Sequence, residues 1–447
     1  MRLTYAVNPY LPATQQRHLV YVLVEVEPDE TGAAAATALN LSLVVDASRS
    51  MSIPILTETQ FRNLAAQGMA QQKTVDGVRV WQFEVPRGFH IDAPSNMNFT
   101  KEALRIVAGR LRPSDRFSLV AFAQDALLMV SNTPGTEAKS LLEAIDRLDQ
   151  IDLGDETYMA RGMQMGCKQA VQGVASTAVS RMIVLTDGYT KEEHDCYTWA
   201  RQAKEDGIVV STMGLGLDFH EDLLISLADV SGGHAYFIED PAEIPGAFQQ
   251  ELTAAQSVTW RDLSLTLEMP SEVILRRVHR VRPAIAALPA NAAQISLGDL
   301  EAAGAAVLLE LVVPPRPAGT YRLARVVLHA RSTGQGSAAE ALEQQDIIAR
   351  YTEKASEAKQ TDAHLISVIQ AVSAYKLQAQ AIEDTRIGNV EGATRKLRLA
   401  GERLIEMGQQ DLGQTMLQEA ESIEKEGQMS AEGTKKLRYG TRKLTRK

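Results

Sequence analysis

Apolar and polar positions divide this chain into zones of different periodicity. His18-Leu-Val-Tyr-Val-Leu-Val-Glu-Val26 is a nearly continuous apolar run and predicts a strand, followed by an alanine-rich stretch. Over residues 41–255, short apolar runs alternate with helical spacing. The runs are Leu41–Val45, Phe117–Ala121, Arg181–Thr186 and Ile208–Gly214, and helices are predicted over Lys101–Leu111 and Leu141–Leu148. Alternation of this kind predicts a doubly wound, Rossmann-like α/β domain, with a parallel sheet covered by helices on both faces.

The pattern changes at residue 256. Leu263–Leu267, Val273–Leu275, Ala306–Val313 and Tyr321–His329 are separated by Pro and Gly and predict antiparallel β structure, a β-sandwich over 256–335. These runs are few for a sandwich. The strand within residues 1–40 is therefore expected to complete it, so that the α/β domain is inserted in, or followed by, the sandwich. From 336 to 433 the chain is rich in helix formers, with Gly388-Asn389 and Gly408 as helix stops, and short antiparallel helices are expected. Residues 434–447 hold seven Lys or Arg and no acid, and are expected to form a solvated basic tail.

Composition narrows the function classes. At 447 residues the chain is too long for a single core, and its net charge of −10 argues against a nucleic-acid partner. Cys167 and Cys196 cannot form a disulfide framework, and buried, inert thiols are expected. There is no signal-peptide pattern and no apolar stretch long enough to span a bilayer. The expectation is a cytoplasmic protein with no membrane partner.

The chemistry concentrates at three loops. The first, Leu43-Val-Val-Asp46-Ala-Ser48-Arg-Ser50, runs an apolar strand directly into one carboxylate and two hydroxyls at the carboxyl edge of the sheet. The second is Gly154-Asp-Glu-Thr157, which opens a helix. The third is Ile183-Val-Leu-Thr186-Asp187-Gly188, a second buried strand ending in an acid. Hard oxygen donors suit Mg²⁺ or Mn²⁺ rather than zinc. The plainer alternative is that Asp46 and the serines only cap the following helix, but that role needs neither Thr157 nor Asp187.

Together the three loops resemble the von Willebrand A family and its metal-ion-dependent adhesion site. The resemblance covers roughly residues 39–250, including Val209–Phe219 and the stretch Ser231-Gly-Gly-His-Ala-Tyr-Phe237. It implies a cation held by Asp46, Ser48, Ser50, Thr157 and Asp187, with hydroxyls as direct ligands and aspartates acting largely through water. It also implies a coordination position left for a carboxylate supplied by a partner protein. Cytoplasmic relatives bring an AAA+ ATPase or a phospho-signalling protein as the partner classes to expect. Asp155 and Glu156 flank Thr157, where they would either add ligands or repel an acidic partner.

The chain departs from that family at residues 52–98, an insertion that leaves directly from the metal loop. Within it, Thr74-Val-Asp76-Gly77-Val predicts a β-hairpin, and Trp81, Phe83 and Phe89 offer aromatic surface beside the metal face. No Walker lysine motif, Gly-x-Ser-x-Gly elbow or paired-histidine motif is present, and His194 reads as an exposed residue at a helix start. The leading expectation is a Mg²⁺-dependent protein-interaction module and not an enzyme. The alternatives are a scaffold with a vestigial metal site, or a metal-dependent hydrolase with Asp155 or Glu156 as base.

Overall fold

The computed structural model describes residues 1–29, 37–75, 78–83, 91–172, 178–291, 294–333 and 340–445, with backbone alone at 71–75 and 78–83. The chain starts with β1 (Arg2–Val7), β2 (Tyr10–Pro12) and β3 (His18–Glu27). It then crosses into an α/β unit. This unit holds β4 (Leu39–Asp46), α1 (Glu58–Ala66), the hairpin β5 (Ala70–Val75) and β6 (Val78–Phe83), α2 (Asn96–Arg110), β7 (Arg116–Phe122) and β8 (Ala126–Pro134). It continues through α3 (Ala138–Asp146), α4 (Met159–Gln172), β9 (Val179–Thr186), α5 (Glu193–Glu205), β10 (Ile208–Leu215), α6 (Glu221–Ser231), β11 (Ala235–Ile238) and α7 (Ile244–Gln256). Seven strands follow: β12 (Trp260–Glu268), β13 (Ile274–Arg282), β14 (Ala286–Leu288), β15 (Ile295–Leu300), β16 (Ala305–Val313), β17 (Gly319–Ser332) and β18 (Glu340–Thr352). The chain closes with α8 (Ala363–Arg386), α9 (Val390–Glu406), α10 (Gln410–Glu426) and α11 (Ala431–Arg442).

The α/β sheet runs β11-β10-β9-β4-β7-β8, parallel except for β8. Its central strand β4 is buried on both faces, which is why it reads as an unbroken apolar run. Leu41, Leu43 and Val45 join the core that includes residues of α2, α3 and α7, while Val44 points into the opposite core beside α4, α5 and α6.

β3 lies outside this unit and pairs antiparallel with β1 and β16, in a sheet ordered β1-β3-β16-β13-β14. A second sheet, β15-β12-β17-β18-β2, packs against it. Val20, Val22, Val24 and Val26 alternate into the core between the two sheets. Leu23 faces the other way and is buried with Leu365 and Val368 of α8. Both faces of β3 are therefore covered, which accounts for its near-continuous hydrophobicity.

Two expectations need correction. Residues 340–352, expected to be helical, form β18, which pairs with β17 along most of its length. The residues from Glu340 to Asp346 read as helix formers, but the ladder to β17 overrides that propensity, and Ile347, Ala349 and Tyr351 alternate into the sandwich core. Residues 434–445 are not a solvated tail but lie largely in α11, packed on the rest of the chain. The positive charge that suggested a free tail is matched by acids of α6. Lys435 Nζ donates to Glu221 (2.9 Å) and to the Phe219 carbonyl (2.9 Å), Arg438 pairs with Asp222, and Arg442 makes a two-pronged contact with Asp229 (2.6 and 2.8 Å). Gly388 and Gly408 do end helices, in the left-handed conformation that glycine tolerates (φ 77° and 81°).

The helical and α/β units are thus locked together by α11. Tyr439 is buried against Phe219 and Phe237, and its hydroxyl has no hydrogen-bond partner among the described residues. Tyr439→Ala is expected to destabilise the chain by about 3–5 kcal/mol. Tyr439→Phe is expected to be neutral or to stabilise by about 1 kcal/mol, because it removes an unsatisfied buried hydroxyl. Urea unfolding of both variants checks this pair, and equal losses would contradict it.

A second junction is ionic and largely buried. Glu251 of α7 accepts from Ser211 Oγ (2.6 Å) and Tyr236 Oη (2.9 Å), contacts His234 Nδ1 (2.9 Å) and lies 3.4 Å from Arg181. Glu301, in the sandwich, meets Arg181 at 3.2 Å and His234 at 3.4 Å. Among the described residues no helix is long and apolar enough to cross a membrane.

Candidate functional site

Asp46 is the last residue of β4, and Thr186 ends the neighbouring parallel strand β9, so both strands deliver their loops to one sheet edge. Asp46 is fully buried. One of its oxygens accepts from the Ser48 backbone N–H (2.8 Å) and the other from Thr186 Oγ1 (2.6 Å). The turn this makes sets Ser48 Oγ 3.0 Å from Ser50 Oγ, and Ser50 Oγ donates to Asp187 (2.7 Å).

The Thr157 loop is held from two sides. Tyr158 N–H donates to the Ala123 carbonyl (2.8 Å), and Lys191 N–H donates to the Thr157 carbonyl (2.8 Å). The Thr157 hydroxyl faces Gly188, close enough that a Cβ added there would lie 3.6 Å from it. Ser50, Thr157 and Asp187 line one open groove, with Asp46 and Ser48 buried behind it. The five residues singled out in the sequence therefore meet at one place.

Burial, followed by repulsion from Asp187, pushes the Asp46 carboxyl up to about 6. Burial also raises Asp187, although hydrogen bonds from Ser50 and Asn96 oppose the shift. Neither carboxylate has an ion-pair partner among the described residues. The nearby cations are taken, since Arg49 pairs with Asp155 (3.2 Å) and Lys191 with Glu156 (3.8 Å). Two buried like charges without a counter-charge are costly. A divalent cation in reach of both acids and the three hydroxyls would supply the missing charge and find the hard oxygen donors it prefers. The residues present thus fit a cation of the Mg²⁺ or Mn²⁺ kind. No group of three or more His, Cys, Asp or Glu is arranged to hold a metal among the described residues.

Asp155 and Glu156 sit exposed at the rim, and Glu156 also accepts from Tyr158 Oη (3.0 Å). Sequence reading missed two contributors. Thr186 orients Asp46, and Asn96 Nδ2 donates to Asp187 at 3.1 Å. Thr186 was visible as the residue before the acid. Asn96 carried only the signal of a helix start, the Ser95/Asn98 capping box.

The insertion begins and ends at the site. Pro54 bridges Ser95, and Ile55 N–H donates to the Pro94 carbonyl (2.7 Å), so the segment leaves and returns through one narrow neck. β5 and β6 form the expected hairpin, with Val75 opposite Val78. Asp76, Gly77 and Phe89, and the side chains of Trp81 and Phe83, lie outside the described residues. His194 is exposed in the first turn of α5. Cys167 and Cys196 are buried and unpaired, and burial pushes both thiols up to about 12.

Residues 92–250 match the family model described as von Willebrand factor type A domain, and residues 363–447 match the Sll0103-like, C-terminal alpha-helical domain. Thr157 and Asp187 fall within the first match, and the Asp46 loop precedes it. The uncharacterized protein sll0103 of Synechocystis is 28% identical over 211 residues, 45% of this chain and 49% of that protein. This chain thus spans about half the length of that curated relative. The solved von Willebrand factor type A protein from Catenulispora acidiphila superimposes with a TM-score of 0.73 at 18% identity, over 99% of this chain and 96% of that one. The ArnB paralog VWA2 from Sulfolobus acidocaldarius does so at 0.54 and 15%, over 99% and 98%. Both structural likenesses are likenesses of fold.

Proposed function

We propose that this chain, which carries a von Willebrand factor type A domain and ends in an Sll0103-like helical domain, binds a partner protein through a Mg²⁺ or Mn²⁺ ion. In this reading Asp46, Ser48, Ser50, Thr157 and Asp187 hold the ion, and an acidic group of the partner completes its shell. The observation that carries the reading is the pair of buried carboxylates, Asp46 and Asp187, with three hydroxyls beside them and no cation paired to either among the described residues.

When bound, the ion supplies an electrophilic centre for an oxygen ligand from outside. The chain's own residues do the rest. The Ser48 N–H and the Thr186 hydroxyl fix both oxygens of Asp46, and Ser50 and Asn96 fix those of Asp187. Arg49 and Lys191 offset the rim acids Asp155 and Glu156, so an approaching carboxylate meets little net repulsion there. The open groove, lined by polar and apolar side chains alike, favours docking of a partner surface over hydrolysis.

Mn²⁺ binding followed by electron paramagnetic resonance tests the metal step. Ser48→Ala and Thr157→Ala are each expected to weaken binding by about 10–100-fold, the range seen when groups supporting a metal site are removed. Affinity capture from native lysate in Mg²⁺ and in EDTA, with Asp46→Ala as control, tests the docking step. Identical captures in all three conditions would remove the cation from the mechanism.

A further inference from the structure

The floor of the groove is acidic and hydroxylic, but its walls are not. Ile53, Ile55, Tyr189 and Leu217 all line it, and their exposures are 60%, 39%, 52% and 38%. Thirteen large hydrophobic side chains stand exposed among the described residues, and four of them surround this one floor. Scattered exposed apolar residues need no explanation, but a cluster rimming a polar site marks a contact surface.

The four come from opposite faces of the sheet. Ile53 and Ile55 belong to the neck of the insertion, next to Met51 and Met97, which are buried in the core that holds residues of α2 and α7. Tyr189 packs edge-on against His220, just before α6, at a centroid distance of 4.4 Å, and Leu217 lies in the loop leading to that residue. Phe219, in that same loop, is buried in the core on the other face of the sheet. The metal residues at the strand ends therefore lie between two apolar walls.

Charge limits what fits between the walls. Asp155 and Glu156 are each offset by a cation at the rim, and a bound dication would balance Asp46 and Asp187. One further carboxylate from a partner would then be accommodated at the ion. A run of acids would meet the exposed Asp218 and the rim acids without additional cations to receive it.

We infer that the partner segment taken by this groove carries a single Asp or Glu with bulky apolar side chains on both sides of it. The carboxylate reaches the ion, and the flanking side chains cover Ile53 and Ile55 on one wall and Tyr189 and Leu217 on the other. The inference rests on the metal reading above and adds the chemistry of the partner.

The probe is a library of random linear peptides displayed on phage, panned on the full chain in Mn²⁺ and eluted with EDTA. Enriched peptides are expected to share one acidic residue flanked on both sides by Leu, Ile, Phe, Trp or Tyr. The Ile55→Ser/Leu217→Ser double variant is expected to bind the best synthetic peptide on the order of tenfold more weakly, with Mn²⁺ affinity and melting temperature unchanged. Enriched peptides without apolar flanks, or with affinity untouched by the double variant, overturn the inference and leave the metal reading standing. No enrichment by a chain shown to bind Mn²⁺ also overturns it. Failure to bind Mn²⁺ at all sinks the metal reading, and the inference with it.

Discussion

Glu251→Ala is expected to destabilise this protein by about 3–5 kcal/mol, the usual cost of breaking a buried ion pair by removing one partner. Glu251 is wholly buried and serves Ser211, Tyr236, His234 and Arg181 at once. Without it, two hydroxyls lose their acceptor inside the protein. Arg181, itself 1% exposed, keeps only Glu301 at 3.2 Å, and its Nε already has no partner among the described residues. Glu251→Gln retains the shape and an acceptor for Ser211 but not the charge, so it should lose less.

The pH dependence separates charge from packing. Burial alone would raise the Glu251 carboxyl, but His234 and Arg181 outweigh burial and hold it down to about 2. A carboxylate whose folded pKa is depressed stabilises the fold above its unfolded value, about 4.3, and that stability is lost as pH falls toward the folded value. The gap between wild type and Glu251→Gln should therefore be full at neutral pH and close progressively below about pH 4.3. Urea midpoints at neutral and acid pH measure it. A gap that stays constant with pH would mean that packing, not charge, makes Glu251 matter.

None of that junction was legible in the sequence. Arg181 sits in an apolar run where a charge looks like an interruption, and its acidic partners lie far along the chain. Their meeting depends on how the sandwich docks on the α/β unit, which no local pattern encodes. The metal loops were legible for the opposite reason. Asp46, Ser48 and Ser50 lie at or just past the end of one strand, and Asp187 directly follows another whose apolar run marks it as central, so local spacing already brings them to one sheet edge. Thr157 could be placed only with the help of the family resemblance. β18 was misread because its first half carries helix formers, and α11 because a run of seven basic residues gives no hint that Glu221, Asp222 and Asp229 await it.

Asp46→Asn should move stability in opposite directions with and without a cation. In EDTA the wild type buries two carboxylates with no opposite charge paired to them. Asparagine keeps an acceptor for the Ser48 N–H and places an amide opposite the Thr186 hydroxyl, which can accept from it. Removing one of two like charges at unchanged volume is expected to stabilise the cation-free protein by about 1–2 kcal/mol. In Mg²⁺ the order reverses. A cation that binds the folded state alone stabilises it by about 2.7 kcal/mol at a hundred times its dissociation constant, and the variant, with half the floor charge gone, should forfeit most of that gain. Thermal melts of both proteins across a Mg²⁺ titration should therefore cross, with the variant higher at the start and the wild type higher at the end. Parallel curves, or a wild type that never responds to Mg²⁺ or Mn²⁺, would leave the buried acids without the counter-charge that their placement requires and would count against the cation as the reason for keeping them.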